Sequence, residues 1–166
     1  MGLAEVVQQL LEEQKLSAAD LAARVGLDAN DTLLADVALY DDELTSTLNA
    51  VHASAVASAL GDRLWQALGI SCPACGGHRL RLLDECKTSV GQMIQRMRQC
   101  KSMSEDELGD VIGFYGSVIR AAEQGTVAID EAVSLAECRT LAEALSVPLG
   151  TLLRLGCNMC GWSACQ

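Results

Sequence analysis

An internal repeat constrains this chain of 166 residues more than any other feature, because two copies of one pattern should fold into two copies of one structure. The first copy runs over residues 3–76 and the second over residues 90–161. Each copy ends in Cys-x-x-Cys-Gly, as Cys72, Cys75 and Gly76 and then, 85 positions later, as Cys157, Cys160 and Gly161. Nearer the start the offset is 87 positions, relating Leu16-Ser17, Leu21 and Gly26 to Met103-Ser104, Leu108 and Gly113. Each unit of roughly 70 residues is marginal alone, since so small a domain buries little surface.

Composition favours an all-α protein. Half of the residues are hydrophobic, only 3% are aromatic and two are proline, so the core must consist of aliphatic side chains and alanine. We find no apolar run long enough for a transmembrane helix and no signal peptide. We therefore expect a cytoplasmic protein, in which Cys-x-x-Cys pairs are metal ligands or redox centres more often than disulfides.

Apolar spacing predicts a similar series of helices in each copy. The first copy should hold helices over residues 3–14, 17–26, 28–39, 43–48, 53–60 and 63–68, with Asp28, Asn30 and Asp31 as a turn and N-cap. The second should hold helices over residues 90–99, 104–113, 115–124, 130–145 and 148–153. Residues 79–83 could be a strand behind the first cysteine pair, as in zinc ribbons, or simply linker. The predicted divisions are residues 1–71, 72–89, 90–156 and 157–166.

A helix, a tight turn with glycine and a second helix have the shape of a helix-turn-helix. Residues 108–125 resemble the phage-repressor (Cro, or XRE) family without a gap, and the wider resemblance covers about residues 90–155. The matching positions are Leu108-Gly109, Gly113, Ile119 and Glu123-Gln124-Gly125, followed downstream by Leu141–Leu145, Val147, Leu149 and Leu152-Leu153. The resemblance implies tandem five-helix repressor-like units with a small zinc-knuckle or ribbon element.

The resemblance also implies double-stranded DNA as the partner of the second unit. In this family the third helix enters the major groove through its N-terminal residues. Carried over, the DNA-binding candidates are Tyr115, Gly116, Ser117, Val118 and Arg120. Basic residues at the end of the first helix of this unit are candidates for phosphate contacts, namely Arg96, Arg98 and Lys101. Because operator-binding proteins are usually two-fold symmetric, we expect a homodimer.

The first copy matches the family at its scaffold positions but has no basic residue in the expected recognition helix. Residues 16–22 and Gly26 match, yet the expected recognition helix over residues 28–39 carries Asp28, Asp31 and Asp36 and no basic residue. Residues 1–71 hold eleven acidic and three basic side chains, against eleven and nine in residues 72–166. The first unit should be repelled by phosphates, so we interpret it as a degenerate, acidic helix-turn-helix that packs or holds a protein partner.

The two Cys-x-x-Cys-Gly turns together offer four thiolates, the ligand count of a closed structural zinc site. We predict that Cys72, Cys75, Cys157 and Cys160 bind one zinc ion that closes the second unit. Three alternatives stay open. Each turn could serve its own site, the first with His78 or Cys86 and the second with Cys165; the thiols could hold an iron–sulfur cluster; or they could form a thiol–disulfide pair. Cys100 and Cys138 are predicted to be buried small hydrophobic residues.

No pattern of residues indicates catalysis, because the chain lacks a glycine-rich phosphate loop, a supported Ser/His/Asp set and an HExxH motif. We do not expect an enzyme. The sequence favours a DNA-binding transcriptional regulator with a structural zinc site. The alternatives are an adaptor that uses helix-turn-helix scaffolds for protein contacts only, and an iron–sulfur or thiol redox sensor.

Overall fold

The structure is a computed structural model that describes residues 1–28 and 33–165. Over these residues the chain is mainly helical, with a two-stranded antiparallel sheet, which confirms the all-α prediction. The predicted turn at Asn30 and Asp31 lies outside the described residues. None of the helices in the described part combines the length and the apolar character needed to cross a membrane.

The helices follow the predicted order in both copies. The first copy contains α1 (Leu3–Gln14), α2 (Ala18–Val25), α3 (Leu33–Val37), a π-helical turn (Glu43–Thr47), α4 (Ala50–Leu60), α5 (Asp62–Ala67) and strand β1 (Leu80–Leu82). The second contains α6 (Val90–Cys100), α7 (Glu105–Ile112), α8 (Gly116–Glu123), α9 (Ile129–Ala132), α10 (Leu135–Leu145), α11 (Leu149–Leu152) and strand β2 (Leu155–Cys157). Strand β1 lies within residues 79–83, for which the sequence left a strand and a linker open.

The starts and stops of the second helix are the same in both copies. Ser17 caps α2 and Ser104 caps α7, and each hydroxyl accepts a hydrogen bond from the N–H three residues on. The carboxylate at that third position returns a bond to the N–H of the serine, which completes a capping box. Each helix ends at a left-handed glycine, Gly26 at φ 78° and Gly113 at φ 74°.

The prediction of a single helix over residues 130–145 is wrong, because the structure has two helices in this region. The chain is extended at Val133, and α10 begins after Ser134, whose side chain accepts a hydrogen bond from the N–H of Glu137. Ser134 and Glu137 form a third capping box of the Ser-x-x-Glu type. The apolar stripe ran through this break, so hydrophobic periodicity alone could not locate it.

The two copies pack against each other through reciprocal contacts. Helices α4 and α10 occupy equivalent positions in the repeat, and each contacts the short helix of the opposite copy, α4 with α9 and α10 with the π-helical turn. The equivalent N-cap residues Asn49 and Ser134 form an antiparallel bridge with each other. The Ala50 N–H donates to the Val133 carbonyl at 2.8 Å. Such reciprocity is the signature of an approximate two-fold axis, here within one chain.

One hydrophobic core extends through both copies. It includes Leu21 and Trp65 from the first copy and Leu108, Ile119 and Leu141 from the second, all fully buried. Each copy therefore completes the burial that a unit of this size lacks alone.

Candidate metal centre

The structure brings together the four cysteines that the sequence assigns to metal. Cys72 and Cys75 lie between α5 and β1, and Cys157 and Cys160 lie at the end of β2 and just beyond it. All four Sγ atoms lie within 4.8 Å of one another. A tetrahedral ion with Zn–S bonds of about 2.3 Å would hold its sulfurs about 3.8 Å apart. The Sγ–Sγ distances of 3.7 Å for Cys72–Cys160 and 3.7 Å for Cys75–Cys157 fit this geometry.

These two distances join the copies crosswise. In the repeat Cys72 is equivalent to Cys157 and Cys75 to Cys160, so the first cysteine of each turn pairs with the second cysteine of the other. The cluster therefore obeys the same approximate two-fold symmetry as α4 and α10. A metal ion here would lie on that axis and be shared equally by both copies.

The same backbone turn presents the thiols in both copies. We call residues 72–77 knuckle 1 and residues 157–162 knuckle 2. In knuckle 1 the Cys72 N–H donates to the Gly77 carbonyl at 2.8 Å, and in knuckle 2 the Cys157 N–H donates to the Trp162 carbonyl at 2.8 Å. The turns reverse direction at Gly76, with φ 72°, and at Gly161, with φ 75°, a conformation that glycine adopts without steric cost.

Backbone N–H groups also point at the sulfurs. The Ala74 N–H donates to the Cys72 Sγ at 3.4 Å, and the Met159 N–H donates to the Cys157 Sγ at 3.4 Å. Such donors stabilise thiolate over thiol and orient the ligand, as outer-shell groups do in metal sites.

The small sheet holds the two knuckles against each other. Its register pairs Leu80 with Cys157 and Leu82 with Leu155, so that β2 leads directly into knuckle 2. The Asn158 N–H extends the pairing by donating to the Arg79 carbonyl at 2.8 Å. Strand β2 was not predicted, because a three-residue strand that ends on a ligand cysteine leaves no periodic pattern.

Neighbouring groups lower the pKa of one thiol, Cys157, and raise the pKa of another, Cys75. Desolvation raises the pKa of Cys157, but the backbone N–H groups of Cys160 and Met159 and two neighbouring thiols outweigh it, and the pKa falls to about 7. The Gly77 N–H lowers the pKa of Cys75, but desolvation and the other three thiols raise it to about 12. A negative charge on Cys75 is therefore disfavoured among the other three thiols in the absence of a cation. This is the electrostatic character of a site for a divalent metal ion.

Four thiolates around one ion would fill a tetrahedron and leave no open position, which is the arrangement of structural rather than catalytic zinc sites. Cys72 and Cys157 are buried, whereas Cys75 and Cys160 lie at the surface. Trp162 in knuckle 2 and Pro73 in knuckle 1 both lie close to Gly150.

The alternative ligands for separate sites lie outside the four-cysteine cluster. His78 Nδ1 lies 2.8 Å from the Ile70 carbonyl oxygen, and Cys86 and Cys165 are bonded to each other. Of the two cysteines predicted to be buried, Cys138 is buried and desolvation raises its pKa to about 12. The prediction is wrong for Cys100, which is exposed because it is the last residue of α6, beyond the apolar face.

The five DNA-binding candidates lie at the start of α8, in different environments. Tyr115 is the N-cap and is 84% exposed, Ser117 is exposed and Val118 is half-buried. Gly116 is buried and lies so close to Asp106, at the start of α7, that a Cβ at this position would collide with it. Arg120 is exposed, but its guanidinium forms an ion pair with Glu105 at 2.7 Å.

Carboxylates surround this end of α8. Arg120 lowers the pKa of Glu105, and hydrogen bonds from the N–H and the hydroxyl of Ser104 lower the pKa of Glu107. Both groups therefore stay ionised to lower pH than usual. With Asp106 and Asp110, they give the first turns of α7 a negative surface beside the candidate recognition residues.

The three basic residues predicted near phosphates have separate environments. The Arg98 guanidinium lies inside the second copy, where it forms two hydrogen bonds with Glu123 at 2.6 Å and 2.8 Å and donates to the Met103 carbonyl. Arg98 is thus an internal structural residue, which is a correction of the prediction. Lys101 donates to the Ser146 hydroxyl at 2.6 Å, and Arg96 is exposed.

The surface of the first copy that corresponds to α8 is formed by α3 and the residues around it, and it differs in its side chains. Helix α3 is described over Leu33–Val37 and contains no basic residue there, and Asp28 is exposed while Asp36 is half-buried. Asp31 lies outside the described residues. Beyond α3 the chain exposes two large hydrophobic side chains, Leu39 and Tyr40.

The fold and the cysteine cluster define a two-fold pseudosymmetric helical protein with a site able to hold a metal ion. Searches against protein-family models, curated proteins and solved structures find no match to this chain.

Proposed function

We propose that the four cysteines hold one structural zinc ion, and that the closed chain acts as a binding protein rather than an enzyme. The crosswise Sγ pairs at 3.7 Å carry this proposal, because they supply four soft ligands at tetrahedral spacing. The spacing leaves room for one ion, whereas an iron–sulfur cluster would place several iron and sulfide ions between the thiolates. Soft thiolate sites of this geometry also suit a single iron, which would colour the protein.

We propose a protein partner for the exposed α7–α8 surface, the alternative that the sequence left open. Three observations support this proposal. The surface is acidic, its Arg120 is neutralised by Glu105, and its turn exposes Val111 and Tyr115, at 44% and 84%. With a net charge of −10 on the chain, approach to a phosphate backbone is unfavourable. A partner with basic and apolar groups would complement the surface.

DNA recognition through the repressor-like resemblance remains the second candidate. It is supported by the exposure of Tyr115 and Ser117 at the N-terminus of α8, the part of a recognition helix that contacts bases. Recognition would have to break or bypass the pair between Arg120 and Glu105. The expected homodimer stays a prediction, and the packing of two copies in one chain gives another source of two-fold symmetry.

Two experiments distinguish these roles. In mobility-shift assays at low salt with genomic fragments, we expect no retardation by the wild type or by Glu105→Gln, which releases Arg120. A photo-crosslinking residue at position 115 should capture one protein in cells, in a salt-sensitive manner, while the same residue at exposed position 23 should not. Retardation of a specific fragment that Arg120→Ala abolishes would overturn the protein-partner proposal in favour of DNA.

Metal analysis of the purified chain tests the proposal that the four cysteines hold one zinc ion. We expect a colourless protein with zinc and without iron. Iron in the purified chain, with its visible absorption, would contradict the structural zinc.

A further inference from the structure

A second pair of cysteines lies beside the metal centre and is distinct from it. Cys86 follows β1, Cys165 follows knuckle 2, and the two are bonded to each other. Their Cα atoms are 5.1 Å apart, within the range of roughly 4.4–6.8 Å over which disulfides form. The backbone therefore positions these side chains for a bond without a change of fold.

The pair joins the same two segments of the chain that the metal centre joins. Knuckle 1 leads through β1 to Cys86, and knuckle 2 leads through a short tail to Cys165. The tail is held on β2 by a bridge between Gly156 and Ser163 and by the Ala164 N–H, which donates to the Leu155 carbonyl at 2.9 Å. The bond thus closes the ribbon at the end opposite the knuckles.

Solvent reaches this pair. Cys86 and Cys165 are half-buried and line an open cavity together with Asp84, Glu85, Lys87 and Arg154. The open cavity gives a small disulfide access to the sulfurs, which thiol–disulfide exchange requires. By contrast, Cys138 is enclosed by the core and Cys100 has no cysteine partner among the described residues.

We propose that Cys86 and Cys165 are a redox-active pair that exchanges with small disulfides and, when oxidised, tightens the metal centre. One thiolate of the pair attacks the small disulfide, forming a mixed disulfide and releasing one small thiolate. The second thiolate of the pair then attacks the mixed disulfide, forming the Cys86–Cys165 bond and releasing the other small thiolate. Two cysteine thiolates are oxidised by two electrons and one small disulfide is reduced to two thiolates; an excess of small thiol reverses both steps.

The coupling to metal follows from chain entropy. To bind zinc from a state in which the second copy is unfolded, the reduced chain must bring together knuckles separated by about 80 residues of flexible chain. With the bond formed, the knuckles are linked through Cys86 and Cys165 by about 15 residues, and the smaller closure cost corresponds to about tenfold tighter binding. By linkage, bound zinc must favour the oxidised pair by the same factor.

This inference rests on the proposed zinc site for its coupling but not for the bond itself. The probe is oxidised glutathione, added to the zinc-loaded full-length protein, followed by mapping of disulfide-linked peptides by mass spectrometry. Zinc affinity is then measured by competition with a chromogenic chelator in the oxidised and the reduced protein. Cys86→Ser removes the pair, and Cys100→Ser is the matched control, since Cys100 is exposed but unpaired.

We expect one peptide pair, linking Cys86 and Cys165, and zinc affinity about tenfold tighter in the oxidised protein. Cys100→Ser should keep this difference and Cys86→Ser should lose it. A bond mapped to knuckle cysteines while zinc is bound, or equal affinity in both redox states, would overturn the inference. Failure of the zinc proposal itself is separate, because the reduced protein would then contain no zinc before glutathione is added.

Discussion

The two copies agree where they face each other and differ where they face outward. Helices α4 and α10 have the same length and position in the repeat, α2 and α7 begin with the same capping box, and both knuckles turn at a left-handed glycine. On the outer side, the described part of α3 contains an acidic residue, Asp36, and no basic one, whereas α8 contains Arg120.

The interiors next to these outer helices also differ. In the second copy a nearly buried ion pair between Arg98 and Glu123 joins α6 to α8. In the first copy Leu11 occupies the position equivalent to Arg98, and the described part of α3 contains no basic residue. Gly91 lets α6 touch the backbone of α8, and its counterpart is Ala4. The comparison teaches that the shared axis and its metal site demand equivalent residues from both copies, whereas each outer trio of helices is packed in its own way.

The largest effect should come from a shared ligand. Cys157→Ser leaves three thiolates, so we expect loss of zinc and a fall of several kcal/mol in the free energy of unfolding, because binding to a structural zinc site is coupled to folding. Urea unfolding monitored by circular dichroism, with and without a chelator, measures this. Cys100→Ser should change stability by less than about 0.5 kcal/mol. Equal stability of Cys157→Ser and wild type would show that the copies hold together without metal.

The ion pair should matter in the second copy alone. Glu123→Gln leaves the Arg98 guanidinium, 12% exposed, without its counter-charge, which should cost about 3 kcal/mol. Asp36→Asn, at a half-buried position of α3, should cost less than about 0.5 kcal/mol. Chemical denaturation of both variants makes the comparison, and similar losses would mean that the outer trios are not packed differently.

Gly91 and its counterpart Ala4 allow opposite substitutions to be compared between the two copies. A Cβ at position 91 would lie 1.9 Å from the Ala122 carbonyl oxygen, so Gly91→Ala should destabilise by about 2 kcal/mol through overpacking. Ala4→Gly should cost only about 1 kcal/mol, the difference in helix propensity. If Gly91→Ala proved stabilising in thermal unfolding, helix propensity would dominate and the close crossing of α6 and α8 would be wrong.

The smallest effect should be common to both copies and depend on pH. Hydrogen bonds from the N–H and hydroxyl of Ser17 lower the pKa of Asp20, and those of Ser104 lower the pKa of Glu107. A lowered pKa in the folded state means that this stabilisation is present above the ordinary carboxyl pKa of about 4 and is lost as the pH falls further. Asp20→Asn and Glu107→Gln should therefore each flatten the acid limb of a plot of Tm against pH. A change in only one copy would break the equivalence of the capping boxes.

Much of this architecture could be predicted because its signals are local. Caps at Ser17 and Ser104 and stops at Gly26 and Gly113 follow from short patterns. The clustering of the four cysteines could be predicted because the Cys-x-x-Cys-Gly turn occurs once in each copy of the repeat.

The rest depends on distant contacts. The partners of Arg98 and Arg120 are decided by which helices cross, and Cys86 meets Cys165 only after the ribbon has formed. The break at Ser134 was the exception, since its capping box was present in the sequence.

Metal stoichiometry tests the central claim that one ion is shared by both copies. We compare zinc per chain by native mass spectrometry in the wild type, in the double variant Cys72→Ser and Cys75→Ser, and in the double variant Cys157→Ser and Cys160→Ser. The shared site predicts one zinc ion in the wild type and none in either double variant, because each retains only two thiolates. Two zinc ions in the wild type, or one ion retained in a double variant, would contradict the shared site and show that each copy binds metal on its own.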